Sequence, residues 1–118
     1  MTQAAQKIVR QEFPWGVIEW LAGAEIGNSK EISLARMSLP PGNGTDVHIH
    51  GNCEESVYVV RGHVECHVDG VAVRLTPGKQ TVVPRGAAHR LRNMGAEPAE
   101  MILSYSSEAR EFRPAPGS

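Results

Sequence analysis

The stretch TDVHIHGNCEESVYVV, residues 45–60, places two histidines two positions apart, followed by two glutamates and an apolar run. In a β-strand, residues i and i+2 project from the same side, about 6.7 Å apart along the chain. His48 and His50 therefore direct their imidazoles to one side, where both can bind one metal ion. A hairpin turn just after His50 would return the chain and bring the Glu55 carboxylate to the same point. Two nitrogens and one carboxylate are a common ligand set for Fe, Mn, Ni or Zn.

Three further histidines are available for a fourth ligand position: His63, His67 and His89. His89 follows a Pro-x-Gly turn at the start of a predicted strand, so a rigid corner can direct its imidazole. His63, Glu65 and His67 alternate along one strand, which is typical of a polar, solvent-facing side. For any single histidine, a buried structural role with satisfied hydrogen bonds is the alternative to metal binding.

Glycine and proline interrupt the chain at short intervals, and the runs between them are rich in Val, Ile, Leu and Thr. Short strands with a turn signal every eight to twelve residues or so predict an all-β sandwich or barrel. Asp69-Gly70 predicts a tight hairpin, because both residues tolerate positive φ. Only residues 15–21 suggest a helical turn. The predicted strands cover residues 31–39, 56–61, 63–68, 71–75, 80–83, 90–92 and 100–105.

The length of 118 residues fits a single domain with one core. We expect a flexible, polar N-terminal arm over residues 1–12, a barrel over residues 13–113 and a disordered tail over residues 114–118.

Charge and hydropathy narrow the possible partners. The net charge of -1 and the lack of a basic cluster argue against nucleic acid. No apolar run reaches the roughly 18 residues that a membrane-spanning helix needs. The N-terminal sequence lacks the apolar core of a signal peptide, so we expect no membrane association and a cytoplasmic protein. Cys53 and Cys66 lack CxxC spacing and are expected to be free thiols.

Two longer patterns resemble the paired motifs of the cupin superfamily. The first is Gly42-x5-His48-x-His50-x4-Glu55-x6-Gly62, and the second is Gly78-x5-Pro84-x-Gly86-x2-His89-x3-Asn93. Both motifs are complete, and they occur in the order and with the short separation typical of small cupins. The stretches GNCEESVYVVRG and RNMGAEPAEMILSYSSEAREF also resemble a group of small bacterial cupins that have no assigned reaction.

The resemblance implies a single-domain jelly-roll β-barrel made of two packed antiparallel sheets. It also implies one divalent metal ion (Fe, Mn, Ni or Zn) inside the barrel, bound by His48, His50, Glu55 and His89. Glu54 fits a looser form of the first motif, but the six-residue step to Gly62 favours Glu55. Small cupins are often homodimers, and the N-terminal arm and residues 15–20 are candidates for that contact.

Other residues near the motifs have more than one interpretation. If Arg36 faces into the barrel, its guanidinium can bind a substrate carboxylate or phosphate. Asn93 shares a strand face with His89 and is expected to support the fold rather than bind metal. Cys53 is expected to be small filler, and an extra metal ligand or a redox partner is the alternative. The six aromatic residues of the chain are few, so we expect a pocket lined by Val, Leu, Met and Ile.

The expected function is metal-dependent chemistry on a small, oxygen-rich molecule, and whether the protein is an enzyme is left open. Four protein ligands leave one or two positions on the ion for substrate or dioxygen, which favours a dioxygenase-like enzyme. A redox-neutral isomerase or lyase acting on a sugar or organic acid is the first alternative, and its catalytic base is unassigned. The second alternative is a non-catalytic module that binds a small molecule or the metal, with Cys53 closing the site as a fifth ligand.

Overall fold

The computed structural model describes residues 7–116, and within this range the chain forms β-strands joined by turns and loops. None of these residues forms an α-helix, so this part of the chain contains no helix able to cross a membrane. The strands are β1 (Val9–Phe13), β2 (Gly16–Ala22), β3 (Ser33–Leu39), β4 (His48–Ile49), β5 (Glu55–Arg61), β6 (Val64–Val68), β7 (Val71–Leu75), β8 (Gln80–Val83), β9 (His89–Asn93), β10 (Ala99–Tyr105) and β11 (Arg113–Pro114).

The strands form two antiparallel sheets that pack face to face as a jelly-roll barrel, as predicted. The larger sheet has the order β1-β2-β3-β10-β5-β8, and the smaller has the order β11-β4-β9-β6-β7. Alternate residues of β3, β5 and β10 are buried, because every second side chain of a strand points to the core between the sheets. The core includes Leu39, Val57, Leu91, Met101 and Leu103.

The predicted strand pattern is confirmed to within two residues at each end for the seven predicted strands. The hairpin prediction is also confirmed, since Val68 pairs with Val71 across a two-residue turn. Asp69 has φ 47° and Gly70 has φ 82°, the left-handed backbone that a type I′ turn requires. Gly62, which ends the first motif, combines φ 94° with a close approach: a Cβ there would lie 2.8 Å from the Ala99 Cα.

The expected helical turn at residues 15–21 is wrong, because residues 16–21 belong to β2 and Trp15 lies in the turn before it. Ile18 lies in the core while its neighbours are less buried, so the burial period is that of a strand. Part of the expected flexible arm is also a strand, since β1 pairs with β2 along Val9–Phe13. The Trp20 Nε1–H donates to Gln11 Oε1 at 2.8 Å and ties the pair together.

At the other end of the chain, Pro114 belongs to β11, which pairs with β4, so the expected disordered tail is wrong at this residue. Residues 1–6 and 117–118, which complete the predicted arm and tail, lie outside the described residues. The predicted domain boundaries at residues 13 and 113 stay predictions.

Asn93 supports the fold, as expected. Its side chain is buried in the smaller sheet and donates to the carbonyl of Leu39 in the larger sheet at 2.9 Å. It also donates to the Glu97 carbonyl at 2.8 Å and accepts from the Gly95 N–H at 2.8 Å. One amide therefore links the two sheets and fixes the turn after β9.

We predict that Asn93→Ala lowers the free energy of unfolding by about 3 kcal/mol, because three hydrogen bonds are lost and buried backbone groups are left without partners. Urea or guanidinium denaturation of the metal-free protein measures this change. Gln80→Ala, at an exposed position of β8, is the control and should change stability by less than about 0.5 kcal/mol. Equal stability of the Asn93 variant and the control would contradict the assigned role.

Candidate metal centre

The four predicted ligands lie together between the two sheets. His48 and His50 come from β4 and the residue after it, and His48 pairs with His89 of the neighbouring strand β9. Glu55 begins β5 in the opposite sheet. All four side chains are buried. The hairpin expected between His50 and Glu55 is wrong, because the intervening loop crosses from one sheet to the other.

The spacing of the ligand atoms fits a single ion. One ligand atom from each residue lies within 4.8 Å of all the others. Glu55 Oε1 lies 3.1 Å from His50 Nε2 and 3.0 Å from His89 Nε2. Two ligands at right angles, each about 2.1 Å from one ion, would be about 3.0 Å apart. The donor set of three imidazoles and one carboxylate therefore fits a divalent metal ion in both distance and chemistry.

Backbone carbonyls set the orientation of all three imidazoles. His48 Nδ1 lies 2.6 Å from the Asp46 carbonyl, His50 Nδ1 lies 2.8 Å from the Glu111 carbonyl, and His89 Nδ1 lies 3.0 Å from the Ala87 carbonyl. A carbonyl can only accept, so each Nδ1 carries the hydrogen. In a neutral imidazole this leaves the Nε2 lone pair free for a metal, the arrangement that outer hydrogen bonds impose on metal-binding histidines.

The same geometry demands a positive charge at the centre. The Nε2 lone pairs of His50 and His89 face the oxygen of a carboxylate, and two acceptors at about 3 Å repel unless a proton or a metal ion lies between them. Burial alone raises the pKa of Glu55, but hydrogen bonds from His50 and His89 outweigh it and lower this pKa to about 2. The centre therefore holds an ionised carboxylate that is removed from water.

The histidines differ in how readily they give up a proton. Burial, with the charge of His89 acting in the same direction, lowers the pKa of His48 to about 4. Burial also lowers the pKa of His89, but the hydrogen bond and the charge of Glu55 act against it and raise the net pKa above its ordinary value. A metal ion consequently finds His48 already neutral and competes with a proton at His89.

Tyr105 supports the carboxylate from the side of the core. Its hydroxyl donates to Glu55 Oε2 at 3.3 Å, and its side chain is buried. Burial, together with the charge of Glu55, raises the pKa of Tyr105 well above its ordinary value. The phenol therefore stays protonated at neutral pH, where it is a hydrogen-bond donor and not a base.

The C-terminal segment, residues 106–116, closes one side of the centre. Asn52 holds it in place by accepting from the Glu111 N–H at 2.8 Å and donating to the Ala109 carbonyl at 3.0 Å. The Phe112 ring from this segment stacks on the His48 imidazole, with a centroid distance of 4.9 Å and an interplanar angle of 28°. The expected aliphatic lining is therefore wrong on this side, where Phe112 and Tyr105 contact the histidines.

Arg110, in the same segment, is the functional candidate that the sequence analysis missed. Its guanidinium donates to His50 Nε2 at 3.4 Å. It also lies 4.9 Å, 5.1 Å and 5.3 Å from the ring centroids of Trp20, Tyr105 and Phe112. The only sequence signal is the two-residue spacing of Arg110 and Phe112, the same-face spacing that identified His48 and His50.

Arg36 does not occupy the inward position expected of it. It lies on β3 between the buried residues Ala35 and Met37, so its side chain projects from the outer face of the sheet. There it forms an ion pair with Glu19 at 3.2 Å and is 40% exposed. The expected contact with substrate required Arg36 to face into the barrel, so this outward orientation leaves it without support.

The remaining candidates lie outside the ligand group. Cys53 and Cys66 are free and buried, as expected, and neither belongs to the group of metal-binding atoms. Burial raises the pKa of the Cys53 thiol and, with the charge of Glu55, raises that of Cys66 to about 12. His67 pairs with Glu65 at 2.7 Å on the strand face assigned to solvent. Glu54 is exposed, in contrast to Glu55.

Comparison with known proteins decides the family. The model of the cupin domain family matches residues 35–105, more than half of the chain. This chain belongs to the cupin family. The matched region begins within β3 and ends at Tyr105, so it contains all four ligands of the centre.

Relatives of this cupin come from bacteria and plants. The polyketide synthase CurC of Streptomyces cyaneus is 38% identical over 68 residues, which make up 58% of this chain and 44% of that protein. Germin-like protein subfamily 2 member 2 of Arabidopsis thaliana is 33% identical over 86 residues, 69% of this chain and 39% of that protein. The chain therefore spans less than half the length of these curated relatives.

A solved structure of similar shape is a recombinant oxalate oxidase in complex with glycolate. It superposes with a TM-score of 0.79 at 26% sequence identity, covering 90% of this cupin and 60% of the oxidase chain. This likeness extends over most of the chain and supports the jelly-roll assignment.

We predict that His50→Ala abolishes stoichiometric metal binding, because the variant loses one of four ligands, an imidazole that the Glu111 carbonyl holds in orientation. Elemental analysis after reconstitution and desalting measures the metal content. His63→Ala is the matched control, since this imidazole lies outside the ligand group. Tight metal retention by the His50 variant would show that the ligand assignment is wrong.

Metal affinity should also depend on pH in a defined direction. Because the hydrogen bond and charge of Glu55 outweigh burial and raise the pKa of His89, an incoming ion must displace a proton there once the pH falls below that raised pKa. We expect the apparent affinity to fall about tenfold per pH unit below this pKa, with about one proton released per ion. Calorimetry in buffers of different ionisation enthalpy measures the proton count. An affinity that stays constant as the pH falls would contradict the prediction.

Proposed function

We propose that this cupin is a metal-dependent enzyme that oxidises a small, oxygen-rich organic acid, with one divalent ion held by His48, His50, Glu55 and His89. The observation that carries the proposal is the set of three Nδ1–carbonyl hydrogen bonds, which directs three Nε2 lone pairs toward one buried carboxylate. Such an arrangement is unfavourable without a cation and is well suited to a metal ion.

A bound iron or manganese ion would supply Lewis acidity and one-electron chemistry at the centre. The chain itself supplies a site removed from water, since all four ligand side chains are buried. The Tyr105 hydroxyl donates a hydrogen bond to Glu55 Oε2, which fixes the orientation of the carboxylate. Arg110 adds a positive charge at the edge of the centre, where an organic anion is favoured.

The side chains around the ligands favour oxidation over proton abstraction. Within residues 7–116, the side chains outside the group that hydrogen-bond to the four ligands or stack on them are Tyr105, Arg110 and Phe112. None of them is a base at neutral pH, since the phenol of Tyr105 stays protonated. An isomerase or lyase that works by abstracting a proton from carbon needs a positioned base, and these neighbours offer none.

The likeness to oxalate oxidase in complex with glycolate supports an acid as the substrate class. A non-catalytic module is less well supported, because Cys53, the residue expected to close such a site, is not part of the ligand group. A homodimer and a cytoplasmic location remain predictions from the sequence.

The test begins with elemental analysis of protein purified without added metal or chelator, followed by reconstitution with Fe(II), Mn(II), Ni(II) or Zn(II). Oxygen consumption is then followed with small hydroxy acids, oxalate and catechol-type diols, and products are identified by NMR. We expect acid-dependent oxygen uptake with iron or manganese, retained in His63→Ala and lost in His50→Ala.

Other outcomes separate the alternatives. Product formation without oxygen consumption would replace the proposal with a redox-neutral reaction. Stoichiometric metal binding without product would indicate a binding module. A chain that binds no metal after reconstitution would overturn the metal centre itself.

A further inference from the structure

Arg110 is a half-buried cation without an acidic partner. In the part of the chain that the structure describes, its guanidinium forms no ion pair, and its one hydrogen bond goes to His50 Nε2. Three aromatic rings, Trp20, Tyr105 and Phe112, surround it. A charge removed from water in this way is stabilised when an anion pairs with it.

Metal binding removes the acceptor that Arg110 uses. A metal ion takes the Nε2 lone pair of His50, because Nδ1 is committed to the Glu111 carbonyl. The guanidinium then lies beside the ion and needs another acceptor. Glu55 balances only half of a divalent charge, and Arg110 adds to the excess, so the loaded centre attracts an organic anion.

Arg110 also lines a cleft of about 370 Å³. Trp20, Ile26 and Phe112 supply apolar walls, and Ser33 lies in the wall as well. This volume is within the range of small-molecule pockets, which start near 300 Å³ or so, and it exceeds what a two-carbon acid fills. Arg110 therefore lies where the metal centre and the cleft meet.

Resting on the proposed function, we propose that Arg110 binds the carboxylate of the substrate and that the cleft takes the rest of a monocarboxylic acid larger than two carbons. A guanidinium can bind a carboxylate through two parallel hydrogen bonds, which fixes the acid beside the ion. The aromatic walls suit an apolar or planar body. Glu25 and Glu108 line the same cleft, so a second carboxylate is disfavoured there.

The test compares three 2-hydroxy acids that share one metal-binding end: glycolate, mandelate and malate. Binding is measured by calorimetry and by Trp fluorescence, with metal-free protein and with protein loaded with Zn(II), so that no turnover is needed. We expect mandelate to bind the wild-type protein at least about tenfold more tightly than glycolate, because its phenyl ring enters the cleft. Malate should bind more weakly than mandelate.

Variants then separate Arg110 from the metal ligands. Arg110→Gln should weaken mandelate binding by about tenfold or more, with metal stoichiometry and thermal stability maintained. Arg110→Lys should recover part of the affinity, since it keeps the charge without the two-pronged geometry. Arg61→Gln, at the far end of β5 from Glu55, removes the same charge at an exposed position and is the matched control.

Each result decides between the proposals. Equal mandelate binding by the wild-type protein and Arg110→Gln would overturn the role of Arg110. Equal affinity for glycolate and mandelate would overturn the role of the cleft, as would the failure of the wild-type protein to bind either acid. If the wild-type protein binds no metal but metal-free protein still binds mandelate in an Arg110-dependent manner, the metal function fails and the acid site stands.

Discussion

The structure depends on one electrostatic constraint: the Glu55 carboxylate of one sheet faces three imidazole nitrogens of the other. Acceptor atoms cannot remain at this distance in a buried core unless a cation joins them. The two sheets meet here through charge, whereas elsewhere they meet through apolar packing and the hydrogen bond from Asn93 to Leu39. A metal ion bound here would therefore act on the whole fold as well as on the chemistry, since it would link strands of opposite sheets.

The outer hydrogen bonds show how loops take part in this centre. The carbonyls that hold the three Nδ1 atoms belong to Asp46, Ala87 and Glu111, and none of these residues lies in a strand. Strands place the imidazoles side by side, and the loops rotate each ring so that the correct nitrogen faces inward. The arrangement is preorganised, because backbone carbonyls in anchored loops need no side-chain ordering to reach the histidines.

The sequence was sufficient to predict seven of the strands, the tight turn at Asp69-Gly70 and the four residues of the ligand group, because these features follow from local spacing and complete motifs. The motif spacing identified Glu55 correctly, whereas the hairpin argument for it was incorrect, since a short loop between two strands does not reveal whether they share a sheet. The direction in which individual side chains point was harder to predict from the sequence. Arg36 turned outward and Arg110 inward, although neither has a neighbour in sequence that decides the direction of its side chain. The aromatic wall was missed because residues distant in sequence, Trp20 and Phe112, meet only after the barrel closes.

The hydrogen bond from His50 to the Glu111 carbonyl joins residues 61 positions apart in the chain. During synthesis, His48, Glu55 and His89 leave the ribosome well before Glu111 does, so three ligands are present while the partner that orients the fourth is missing. The final orientation of His50 therefore comes late, when β11 pairs with β4 and the C-terminal segment lies over the centre. A metal ion would therefore meet all four ligands in their final orientation only when the barrel is nearly complete. In a partly made chain, His50 Nδ1 lacks the Glu111 carbonyl as its partner. The tautomer of His50 that leaves Nε2 free for an ion is therefore not fixed.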